Sequence, residues 1–101
     1  QDEIFGPVVT LNSFKNEEDA LSKANNSEYG LASIIWTENL DRANKIANSI
    51  ESGIVWINCW LERDLRTPFG GIKKSGLGKE GGEYALDFFT ENKNVCVKKY
   101  D

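Results

Sequence analysis

The sequence predicts an α/β fold, with parallel strands joined by crossover helices. Two short apolar runs, Leu31–Trp36 and Ile54–Ile57, have the length and composition of strands covered on both faces. Before and between them lie two segments whose apolar residues recur at helical spacing. Strands and helices alternating in this order imply parallel strands linked by right-handed connections.

Each element has its own signals. After Gly6-Pro7, Val8–Phe14 is rich in strand formers and reads as the first strand. Asn16 is suited to cap a helix whose first turn carries Glu17, Glu18 and Asp19, acids that complement the positive end of the helix dipole. Ala20, Leu21 and Ala24 give that helix one apolar face. Leu31–Trp36 is the next strand. Asn39 caps a second helix, in which Leu40, Ala43, Ala47 and Ile50 recur at helical spacing with Ile46 beside them. Gly53 stands where a left-handed residue commonly ends a helix, and Ile54–Ile57 follows as the second buried strand.

From Asn58 to Gly82 the pattern gives way to a long loop holding six of the nine glycines. A structureless stretch of that length inside a compact domain is usually functional. A last helix, from about Glu83 to Thr90, offers Ala85, Phe88 and Phe89 on one side. Asn94–Tyr100 closes the chain as a strand candidate, with Val95 and Val97 on one face.

Composition narrows the classes of function. A chain of 101 residues, 40% apolar and 28% charged, is enough for one ordinary globular domain. Sixteen acids against twelve bases leave a net charge of -4, without the basic face that nucleic acid requires. No apolar run approaches the roughly 20 residues of a membrane span, and no signal segment opens the chain. The reading is a cytoplasmic protein with neither nucleic acid nor membrane as partner. Cys59 and Cys96 read as reduced thiols. The chain has no histidine, which removes Ser-His and Cys-His catalysis and leaves no plausible zinc site. It begins at Gln1 and contains no methionine, as expected of a segment of a longer polypeptide.

Gly76-Leu77-Gly78-Lys79-Glu80-Gly81 satisfies G-x-G-x-x-G, a helix follows it, and Asp101 supplies an acid beyond the next strand. Such a motif can seat a pyrophosphate at a helix N-terminus. It must follow a strand directly, and Thr67–Ser75 does not read as one. A turn-rich structural loop is the better account. The P-loop pattern fails as well, because Lys79 is followed by Glu80 rather than by Ser or Thr.

Four other stretches point elsewhere. Glu3-Ile4-Phe5-Gly6-Pro7 is followed by Ala24-Asn25-Asn26 with Tyr29-Gly30-Leu31-Ala32, then Ser52–Asn58, then Pro68–Gly76. In this order they resemble the E-x-F-G-P, A-N-x…Y-G-L-A, G-x-V-x-V-N and P-F-G-G-x-K-x-S-G motifs of the aldehyde dehydrogenase superfamily. Together they span almost the whole chain. The resemblance implies that a cysteine attacks the aldehyde, hydride passes to NAD, and a glutamate helps water release the acid. Nucleophile and general base would both lie upstream, so this segment carries no catalytic residue and is expected to be inactive alone. Cys59 is not that nucleophile, and no identifiable base stands near it in sequence to activate it.

By the same resemblance, residues 1–91 are the C-terminal portion of the catalytic domain, and residues 92–101 a C-terminal oligomerisation strand. The strand would join an intersubunit sheet in a homodimer or homotetramer. Glu3 would bind the hydroxyls of the nicotinamide-side ribose, a task suited to the two acceptors of a carboxylate. Phe5 would pack on the nicotinamide. Taken without the motif, Glu3 is a solvated acid and Phe5 a core aromatic. Cys59–Phe69 would form the substrate-side loop, leaving the C-terminal end of a buried strand, where α/β sheets bind ligands. Phe69 would line the aldehyde pocket, or be a plain core phenylalanine.

Asn58-Cys59-Trp60-Leu61-Glu62-Arg63-Asp64-Leu65 departs from the commonest pattern of the superfamily. It resembles the C-W-x-x-R-[DE]-L segment of the 2-hydroxymuconate and 2-aminomuconate semialdehyde dehydrogenases. There the arginine is thought to grip the substrate's carboxylate, and a guanidinium fork suits that task. Arg63 would orient a carboxylate-bearing semialdehyde and Trp60 would form an aromatic wall. Otherwise Arg63 pairs with Glu62 or Asp64, or points to water, and Trp60 packs at the sheet end. Arg66 reads as a surface or salt-bridging residue. A reading of a different class makes the chain a stand-alone, non-catalytic interaction module derived from this fold.

Overall fold

A computed structural model describes residues 1–100. In chain order the elements are α1 (Glu17–Asn25), β1 (Tyr29–Gly30), β2 (Ala32–Ile35), α2 (Leu40–Ser49), β3 (Ile54–Ile57), β4 (Ile72–Lys73) and α3 (Gly82–Phe89). β2 and β3 pair in parallel, from Ala32 opposite Ile54 to Ile35 opposite Ile57. α2 is the crossover between them, as the alternation of elements predicts. β1 and β4 form a second, antiparallel pair, with Tyr29 opposite Lys73 and Gly30 opposite Ile72. The sheet structure is therefore mixed rather than wholly parallel.

The helices start where their caps place them. The Asn16 side chain accepts from Asp19 N at 2.9 Å, and Asn39 accepts from Arg42 N at the same distance. α1 is held to α2 by Glu17, which pairs with Arg42 and reaches Lys45 at 3.5 Å. The hydrogen bond from Arg42 holds the Glu17 carboxyl below its ordinary value. Asn25, at the end of α1, performs a double task. Its amide donates to Ser49 O at 3.0 Å and its oxygen accepts from Glu51 N at 2.8 Å, which joins the ends of both helices.

Several expectations change. Val8–Phe14 pairs with no strand among the described residues, and Val9 and Leu11 lie exposed. Strand-forming residues fit a pleated, half-covered surface, and no such surface adjoins them here. Within Leu31–Trp36 the strand is β2, Ala32–Ile35, with β1 ending just before the run, and Ile34 and Trp36 are exposed, so the run is not covered on both faces. The segment from Asn58 to Gly82 is not structureless: it contains β4 and a bridge between Phe69 and Glu80. β4 also lies inside Thr67–Ser75, which reads as strandless in sequence. No strand is assigned among residues 92–100, and Val95 and Val97 are exposed.

Gly53 is required for a different reason from the expected one. α2 ends at Ser49, with Ile50 as an extended cap, and Gly53 has no left-handed φ. Instead, the carbonyl of Gly70 stands where a β-carbon of residue 53 would be. The close approach, not the helix end, demands glycine. Among the described residues the buried apolar side chains are Ile35, at the end of β2, and Ala43, in α2.

Candidate functional site: the loop after the parallel pair

The loop that follows β3 is anchored at its root. Asn58 has φ 54, a left-handed conformation that Asn tolerates better than most residues. Its side chain donates to Thr37 O at 2.8 Å and accepts from Thr37 N at 2.9 Å. This ties the C-terminal ends of β2 and β3 together. Trp56 reaches forward to donate to Glu62 O at 2.9 Å, and Leu61 is also left-handed, at φ 57. Left-handed conformations at bulky residues are costly and cluster at functional loops.

A tight turn then sets the arginines apart. Asp64 O accepts from Thr67 N at 3.0 Å and from Thr67 Oγ1 at 2.7 Å. The Asp64 carboxylate is taken by Arg66, through both its backbone N and its guanidinium, at 2.9 Å each. Those bonds hold the Asp64 carboxyl below its ordinary value and raise that of Arg66. Arg66 is thus the salt-bridging residue the sequence suggests.

Arg63 pairs with neither Glu62 nor Asp64. Its Nη2 donates to Glu80 Oε1 at 2.9 Å, and its Cζ stands 4.0 Å from the centroid of the Phe69 ring. Phe69 and Glu80 are themselves joined, each N donating to the other's carbonyl at 2.8 Å. The structure therefore brings two predicted residues together, Arg63 and Phe69, through a third that sequence reasoning missed. The signal for Glu80 was weak, because the motif around it directs attention to glycines and a nucleotide. Trp60 stays apart and is exposed.

The N-terminal pair lies elsewhere. Glu3 lines an open groove of about 680 Å³ together with Gln1, Lys23, Ser33 and Ser75. Phe5 has φ 53 and is 92% exposed, so it is not a core aromatic of the described residues. Neither Phe5 nor Arg63 lines the Glu3 groove.

The glycine-rich motif is occupied by the chain itself. Lys79 turns inward, donating to Gly70 O at 2.6 Å and Gly71 O at 2.9 Å. The carbonyl of Thr67 stands where a β-carbon of residue 81 would be, at a φ of 96 that also favours glycine, and that of Arg66 stands where one of residue 82 would be. Carbonyl oxygens thus crowd the N-terminus of α3, the end that a pyrophosphate would need open. Asp101, the acid that completes the motif in sequence, lies outside the described residues. Among the described residues, no group of three His, Cys, Asp or Glu could hold a metal ion, and no helix is long and apolar enough to cross a membrane.

Residues 1–95 match the model of the aldehyde dehydrogenase family. The chain is 58% identical over 97 residues to a 2-hydroxymuconic semialdehyde dehydrogenase of Pseudomonas putida, covering 96% of this chain and 20% of that one. It is 50% identical over 98 residues to a 2-aminomuconic semialdehyde dehydrogenase of Danio rerio, covering 97% and 20%. An aldehyde dehydrogenase of Bacillus cereus solved as its NAD+ complex superposes with a TM-score of 0.85 at 47% identity, over 90% of this chain and 18% of that one. The chain thus spans about a fifth of the length of the curated relatives it matches.

Proposed function

The chain belongs to the aldehyde dehydrogenase family, and on that premise we propose that the protein it forms part of oxidises a carboxylate-bearing semialdehyde of the muconate type to the acid with NAD. The observation that carries this reading is the setting of Arg63. Its guanidinium stacks on Phe69 and bonds Glu80, rather than pairing with the acids beside it in sequence. A guanidinium with free N–H donors can grip a carboxylate and aim the aldehyde at the far end of the same molecule. The names of the relatives in Pseudomonas putida and Danio rerio support the same class of substrate.

The residues present fit the cofactor. No hydrogen-bond donor among the described residues engages the Glu3 carboxylate, which leaves both oxygens for a ribose diol, and the Phe5 ring is open for stacking. Glu3 and Phe5 would hold the nicotinamide end of NAD, which would supply the hydride acceptor. The task of this segment is to hold the nicotinamide end and the substrate's carboxylate in register, which is where positioning contributes to rate. The nucleophile and base belong to the remainder of the protein.

The test is the full-length enzyme assayed with 2-hydroxymuconic semialdehyde and with propanal, following NAD reduction. Arg63→Ala should lower the ratio of kcat/KM for the semialdehyde over propanal by about 10- to 100-fold, the range for a lost charge-assisted hydrogen bond. Equal losses on both aldehydes would remove the carboxylate role.

A further inference from the structure

We infer that Glu80 is a positioning residue for substrate recognition, holding the Arg63 fork in the orientation that receives a carboxylate; the inference rests on the role proposed for Arg63. Glu80 grips both parts of the wall at once. Its backbone exchanges hydrogen bonds with Phe69 in both directions at 2.8 Å, and its carboxylate accepts from Arg63 Nη2 at 2.9 Å. The ring on which the guanidinium stacks and the acid that steers it are therefore fixed by a single residue.

One contact leaves most of the fork available. A guanidinium presents five N–H donors in a plane, and Glu80 engages one nitrogen. Among the described residues no other acceptor bonds the Arg63 side chain, since Asp64, the nearest rival, is taken by Arg66. An unrestrained arginine on an open loop would lose rotamer freedom on gripping a ligand. Glu80 and Phe69 remove that freedom beforehand.

Stability offers no rival explanation of comparable weight. The Arg63 and Glu80 side chains are 36% and 61% exposed, and ion pairs so open to solvent contribute little to folding. The pair serves orientation rather than cohesion.

The experiment is a double-mutant cycle in the full-length enzyme with Glu80→Ala, Glu80→Gln and Arg63→Ala, using the same two aldehydes. Glu80→Ala should lower the semialdehyde-over-propanal ratio of kcat/KM by about 5- to 10-fold, chiefly through the KM for the semialdehyde. Glu80→Gln, which keeps the shape and a neutral acceptor, should do the same more weakly. In the Arg63→Ala background, either change should move the ratio less than about twofold, because Glu80 acts through Arg63. An unchanged ratio overturns the inference. So does a lower KM for the semialdehyde, which would make Glu80 a mere competitor for the guanidinium, or an equal fall without Arg63. If Arg63→Ala lowers the ratio and the Glu80 variants do not, only the positioning role fails. If Arg63→Ala itself leaves the ratio unchanged, the carboxylate role fails and takes this one with it.

Discussion

Gly53 shows how a missing side chain can place a distant loop. The Gly70 carbonyl that fills the space of its β-carbon is also the acceptor for Lys79, at 2.6 Å, and directly follows Phe69. A methyl group at position 53 must therefore push on the residue next to the proposed substrate wall. Gly53→Ala in the full-length enzyme should destabilise it by about 1–3 kcal/mol, the usual cost of overpacking, seen as a lower thermal midpoint. An unchanged midpoint would mean that the loop yields freely. At this scale the sequence was legible in its residue types and misleading in their causes. Glycine at 53 reads as a helix terminator and serves as a gap; Asn25 reads as part of a motif and links two helix ends. The Arg63–Glu80 pair was not legible, because its members are brought together only by the folding of the glycine-rich loop.

Helices and strands differ in what a sequence reveals of them. α1 and α2 carry their own caps, charges and apolar faces, and both begin within a residue of the signals that predict them. A strand is completed by its neighbour, which no local pattern names. Two-residue strands such as β4 are too short to show any alternation at all. Val8–Phe14 and 94–100 have strand-forming composition without a pairing partner among the described residues. For the second of these, an adjoining subunit is the proposed partner, giving a homodimer or homotetramer. Deleting residues 92–101 from the full-length enzyme should therefore reduce the particle mass measured by light scattering. The same mass after deletion would show that assembly depends on other surfaces.

As a whole, the described chain is long and thin. Its radius of gyration is 19.2 Å and its extents are 75 × 33 × 22 Å, whereas a compact chain of this size has a radius of about 13 Å. Phe5, Leu11, Leu77 and Phe89 are among many large apolar side chains left in the open. Composition suggests an ordinary globular domain because it counts apolar residues without saying what covers them. Apolar area facing water gives little folding free energy to set against chain entropy. The isolated 101-residue chain should accordingly melt without a sharp transition and bind the dye ANS. A cooperative transition without dye binding would show that it folds unaided.

The staple at Asn58 has a practical consequence. With the Phe69–Glu80 backbone bridge, the Asn58 side-chain staple brackets residues 59–68, so that the ends of this stretch are fixed by bonds that do not involve the side chains between them. The stretch between these two ties is in effect an exchangeable cassette. The strand end and the isolated bridge supply two constant sockets, and a designer seeking a new aldehyde preference can rewrite what is plugged into them without retooling the frame.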